Sequence, residues 1–156
     1  MTRRGLLAAV AAVVLTGGCL EGPAVAESQS YVVRVEPARR PDGFEKLHVS
    51  KAALAGSEIS LWANTAINPD CTPHPPGATL AIVTPPEHGT ARVSDDPLYI
   101  AFPPNNPRSA CNKQKIPGHE AFYAPSAGYT GHDRVVLQGS SPEGRVRRII
   151  VDIDVR

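Results

Sequence analysis

Methionine is missing after Met1, aromatic residues are only 5% of the chain, and no apolar run reaches the ~20 residues that span a bilayer. Each shortage excludes something. A blue-copper centre of the common kind needs a Met ligand beside its Cys and two His, and Met1 lies in a processing segment. Scarce aromatics leave little material for a flat sugar-stacking face. No transmembrane helix is expected. An excess of one charge sign is also missing, with 16 Lys and Arg against 15 Asp and Glu. The chain therefore has no general electrostatic reason to bind nucleic acid or an anionic membrane. No G-x-S-x-G elbow, Gly-rich phosphate loop or H-E-x-x-H occurs, and no spacing of Ser, His and Asp singles out a triad, so the chain is not read as an enzyme. No cofactor is implied.

What is plentiful is proline, 16 residues, and glycine, 13. That composition argues against long helices and suits short strands joined by turns, an all-β chain. Arg3 and Arg4 followed by an apolar stretch over 6–15 form a signal peptide, expected over 1–26. Ala24-Val25-Ala26 is an A-x-A cleavage site that releases a soluble chain at Glu27. Leu15-Thr16-Gly17-Gly18-Cys19 resembles a lipobox, which would put a lipid anchor on Cys19. Its Leu stands four residues before the Cys instead of three, so soluble release is preferred. The mature part, 27–156, is one domain's worth and electrically neutral, with 14 basic and 14 acidic residues once Arg3, Arg4 and Glu21 are removed. Its location is expected to be periplasmic or secreted. There Cys71 and Cys111 pair by default, closing a loop of about 40 residues that contributes roughly 4 kcal/mol.

Period-two alternation marks strands. It is seen from Tyr31 to Glu36, from Glu58 to Ala63 and, most clearly, at the C-terminus, where Ile149, Val151, Ile153 and Val155 face one way. The stretch 47–55 reads as strand leading into a turn. The 79–83 segment, the turn Pro85-Pro86-Glu87-His88-Gly89 and the return Thr90-Ala91-Arg92-Val93 read as a hairpin. Trp62 reads as packing against the sheet, with an exposed binding aromatic as the rival. Two Pro-rich loops, 68–77 and 94–118, are too irregular for strands and are tied together by the cysteines.

A glycine corner organises the rest: Tyr123-Ala124-Pro125-Ser126-Ala127-Gly128-Tyr129-Thr130-Gly131-His132-Asp133. Gly128 and Gly131 permit positive φ, Pro125 stiffens the approach, and Asp133 can accept bonds from turn N–H groups. The Tyr129 hydroxyl is placed to bond backbone, as in a tyrosine corner. This corner, together with Pro86-Glu87-His88-Gly89-Thr90 and the closing Val151-Asp152-Ile153-Asp154-Val155, resembles the bacterial Ig-like and cadherin-like domains over residues 82–155. The resemblance implies an immunoglobulin-like antiparallel β-sandwich of about seven to nine short strands, and Tyr123, Pro125, Gly128, Tyr129, Gly131 and Asp133 as a structural corner. Such domains serve adhesion, spacing and display. A single copy points to a free-standing, non-catalytic binding module whose partner is a protein or other ligand of the cell envelope.

The expected site is the end formed by the two rigid loops, where Tyr99, Phe102, Asn105, Asn106 and Arg108 are displayed. Two alternatives stand beside it. One is a small periplasmic metal-handling protein using the loop histidines His74, His88, His119 and His132, although no pair has zinc-motif spacing and no metal ligand is assigned. The other is a carbohydrate or cell-wall binding module. Asp152 and Asp154 read as solvated charges without partners.

Overall fold

The computed structural model describes residues 32–36 and 44–156. The expected leader, Cys19, Tyr31 and the 38–43 loop lie outside them. The described residues contain eight strands: β1 (Val32–Glu36), β2 (Glu45–Ala53), β3 (Ile59–Asn64), β4 (Thr79–Thr84), β5 (Gly89–Ser94), β6 (His119–Pro125), β7 (Gly131–Ser140) and β8 (Val146–Val155). Among the described residues one 3-10 turn occurs, Ser109–Lys113. The strands form a five-stranded sheet, β1-β2-β8-β7-β4, and a three-stranded sheet, β3-β6-β5. This is the all-β, immunoglobulin-like sandwich that composition and the corner motif predict. One ladder is not antiparallel: β2 runs parallel to β8, from Glu45 opposite Arg147 to Ala53 opposite Val155.

β8 shows why the layers form. Ile149, Val151, Ile153 and Val155 retain 1%, 0%, 1% and 2% of their accessible surface. Facing them across the sandwich are Ile59, Leu61, Ala121 and Tyr123 of the small sheet. Burying each of the larger side chains is worth about 1.5–3 kcal/mol. The other face of β8 is half-buried, and its two acids do have partners. Arg134 Nε donates to Asp152 at 2.6 Å and Arg156 Nε to Asp154 at 2.7 Å. Cross-strand and terminal arginines therefore replace the solvated charges expected there.

The expected 79–93 hairpin is not formed. β4 pairs with β7 in the large sheet and β5 with β6 in the small one, so the Pro85–His88 turn carries the chain between sheets. Prolines 85 and 86 cannot donate to a ladder, and an arch between layers asks for no ladder there. The glycine corner also crosses between sheets, from β6 to β7. Trp62 packs against the main core, as expected, beside an irregularity in β3 between Ser60 and Trp62.

Candidate functional site

Two of the inter-sheet crossings, β4 to β5 and β6 to β7, meet on the Asp133 carboxylate, which is buried. Its Oδ1 accepts the N–H of Glu87 at 3.0 Å and of Arg134 at 2.8 Å, and its Oδ2 accepts the N–H of His88 at 2.9 Å and the Tyr123 hydroxyl at 3.0 Å. Burial raises the carboxyl's pKa, but these four bonds outweigh it and hold the group below the usual carboxylate range. Burial, and then the bond to Asp133, push Tyr123 well above the ordinary phenol value. The Tyr129 hydroxyl donates to the His132 carbonyl at 2.7 Å, and its ring stacks on His88 at 4.3 Å. Gly128 and Gly131 adopt φ of 74° and 133°. The Asp133 carboxylate and the Tyr123 and Tyr129 hydroxyls are thus all engaged in holding the two turns of this end.

At the opposite end the chain is held by sulfur. Cys71 and Cys111 form a disulfide with Cα atoms 5.5 Å apart. The 68–77 loop closes on itself: Asn68 N–H donates to the Thr72 carbonyl at 2.9 Å, and Asp70 Oδ1 accepts both the N–H and the hydroxyl of Thr72. The 94–118 loop is equally tied, with Asn112 bonding both backbone groups of Phe102 at 2.9 Å and Asn106 Oδ1 accepting the Arg108 N–H at 2.9 Å. A small second core of Ile67, Cys111 and Ile116 forms under the loops, with Phe102 packed against it. So long an excursion is ordered because it carries its own apolar cluster and covalent clamp.

These loops and the β7–β8 turn surround a cavity of about 200 Å³, whose walls include His74, Phe102, Arg108, Ser141, Pro142 and Glu143. Arg108 Nε donates to the Ile67 carbonyl. Among the described residues, no carboxylate pairs with its guanidinium. His74 Nδ1 and Ser141 Oγ are buried and have no hydrogen-bond partner among the described residues. Leaving a buried polar atom unpaired costs about 1–3 kcal/mol, so two such atoms around one cavity need an explanation. The Ser141 hydroxyl, first, with His74 and Arg145 contributing, holds the Glu143 carboxyl below its usual range. The Ser141 approach stops short of a hydrogen bond.

Of the five residues expected here, Phe102 and Arg108 line the cavity. Asn106 is used in the loop's own bonding, and Asn105 and Tyr99 are exposed. Tyr99 instead joins Trp62 and Lys51 around a separate cleft of about 290 Å³ beside β3. His74, Ser141 and Glu143 were not singled out as a group, since 65 or more residues of sequence separate His74 from the β7–β8 turn. Only the topology brings them together. The loop histidines divide between the two ends. His119 has both ring nitrogens against oxygens, Asp95 Oδ1 at 2.6 Å and the Ala78 carbonyl at 2.9 Å. Among the described residues, no three His, Cys, Asp or Glu side chains are grouped to hold a metal ion.

Ser141 and His74 are not hydrogen-bonded to each other, so they are not arranged as nucleophile and base. The arrangement can bind: it offers a guanidinium with no acid opposite it among the described residues and a carboxylate in one small recess. Among the described residues no helix is long and apolar enough to cross a membrane. No family model matches the chain, and no curated protein matches it. The solution structure of amebosin is similar with a TM-score of 0.40 and 13% identity over 71% of this chain and 96% of that one, a likeness too low to carry an argument.

Proposed function

We propose that this protein is a non-catalytic, exported binding module of the cell envelope or secreted fraction, of the bacterial Ig-like and cadherin-like kind, that takes its ligand at the disulfide-braced loop end. The observation that carries the reading is the cavity there: Arg108, His74 Nδ1 and Ser141 Oγ have polar capacity that the described fold does not use. The two loops around them are tied by the disulfide and by their own hydrogen bonds, which lowers the ordering that ligand binding costs. The disulfide suits an oxidising compartment, in accord with export. The family part of the reading is supported by the corner, where the two motif turns are joined through Asp133. The test is retention of envelope-extract components by the immobilised full chain and by Phe102→Ala/Arg108→Gln. Loss of retention in a variant that still melts cooperatively is expected. Equal retention sinks the site.

Carbohydrate or cell-wall binding is the second reading, favoured by one observation, the exposed Tyr99 beside half-buried Trp62 at the β3 cleft. It requires Tyr99→Ala, and not Arg108→Gln, to abolish retention on insoluble cell-wall material.

A further inference from the structure

We propose that the loop-end cavity takes a zwitterionic, amino-acid-type ligand, its carboxylate on the Arg108 guanidinium and its ammonium on the Glu143 carboxylate. This deepens the binding-module reading and rests on it.

The argument begins with pairing. Arg92, Arg134, Arg147 and Arg156 each donate Nε to a carboxylate of this chain. Arg108 is half-buried, lines the cavity and gives its Nε to the Ile67 backbone, with no acid opposite it among the described residues. That bond fixes the guanidinium plane and leaves the terminal N–H groups, a fork that matches a carboxylate. Ser141 and His74 stand in the same wall, and their Oγ and Nδ1 are buried behind it without a hydrogen-bond partner among the described residues.

Charge then narrows the ligand. Glu143 lines the same cavity and is exposed on the β7–β8 turn. A simple anion that approaches Arg108 meets this carboxylate as a like charge, and a simple cation that approaches Glu143 meets Arg108. A molecule with both charges a few bonds apart satisfies both. Size narrows it further. About 200 Å³ lies below the roughly 300–1,000 Å³ of sites for drug-sized ligands, so the recess itself holds one small residue. Phe102 and Pro142 provide an apolar wall for a short side chain.

The probes are L-alanine, acetate and ethylamine, titrated into the full chain by calorimetry at neutral pH. Alanine is expected to bind at least about tenfold more tightly than either single-charge analogue. Glu143→Gln, on an exposed turn, should leave the melting temperature unchanged, weaken alanine about tenfold and leave acetate within about threefold. Arg108→Gln should abolish alanine and acetate binding together, with its melting curve checked because it also loses the Ile67 bond. No alanine binding up to about 10 mM, acetate equal to alanine, or an unchanged Glu143→Gln variant each overturns the assignment. If alanine fails while the extract-retention difference persists, the ligand chemistry is wrong and the binding module stands. If both fail, both readings fall.

Discussion

A single buried carboxylate decides how the two layers are joined. Asp133 accepts four hydrogen bonds, three from backbone and one from Tyr123, and its folded pKa is depressed. Its contribution to stability is therefore fully present above the unfolded value near 3.9 and is lost as pH falls through the folded value. Asp133→Asn should cost about 2–3 kcal/mol at pH 7, since hydrogen bonds to a charged acceptor are being weakened at a buried site. It should also flatten the acid limb of the stability profile. Urea unfolding of wild type and variant at pH 7 and pH 3 checks both: the difference between them should shrink at the lower pH. The sequence showed that Asp133 was placed to serve turn N–H groups. It did not show that two of those groups belong to a turn 45 and 46 residues earlier. That partner is chosen by the crossing of sheets, which no local spacing encodes.

Among the elements, alternation was the legible signal and pairing the illegible one. The buried face of β8 could be read residue by residue, whereas the 79–93 segments look like a hairpin and are an arch. Gly89 explains part of that geometry. A Cβ there would stand 2.5 Å from the Ala124 carbonyl oxygen and 2.5 Å from the Tyr123 ring, so β5 can lie against β6 at this point only without a side chain. Gly128 faces open space and is required only by its φ of 74°. Gly89→Ala should accordingly cost about 3 kcal/mol through overpacking, and Gly128→Ala about 1 kcal/mol through backbone conformation. Thermal melts that rank the two in the opposite order would contradict this account. The cysteine pair was legible, because setting Cys19 aside with the expected leader leaves two thiols and one connectivity. Its energetic weight follows from the loop it closes, 40 residues in sequence separation. Cys71→Ser/Cys111→Ser should remove roughly 4 kcal/mol and expose the Ile67–Ile116 cluster, which dye binding would report. The cavity itself was half legible. Loop stiffness drew attention to Phe102 and Arg108, but Ser141 and Glu143 arrive on the β7–β8 turn, which reads only as a polar connection.

For the molecule as a whole, the decisive feature is the place of the last strand. β8 lies between β2 and β7, and its partner residues 45–53 are about 100 positions away in the chain. The large sheet cannot close, and Leu47 and Val49 of β2 cannot be brought into one face with Val135 and Leu137 of β7, until β8 is in place between them. Because such non-local pairings must be made against loop-closure entropy, refolding should fall in the millisecond-to-second range typical of β-sandwiches. The edge strand β1 is different: among the described residues it pairs only with β2, at the rim of the sheet. Deleting residues 146–156 should therefore abolish the cooperative unfolding transition. Replacing residues 32–36 with a Gly-Ser segment should keep a single transition at a lower denaturant midpoint. Circular dichroism of the two variants across a urea series separates the outcomes. A cooperative transition in the chain without β8 would mean that the remaining strands hold a core of their own, and the central position of that strand would then explain neither the stability nor the speed of folding.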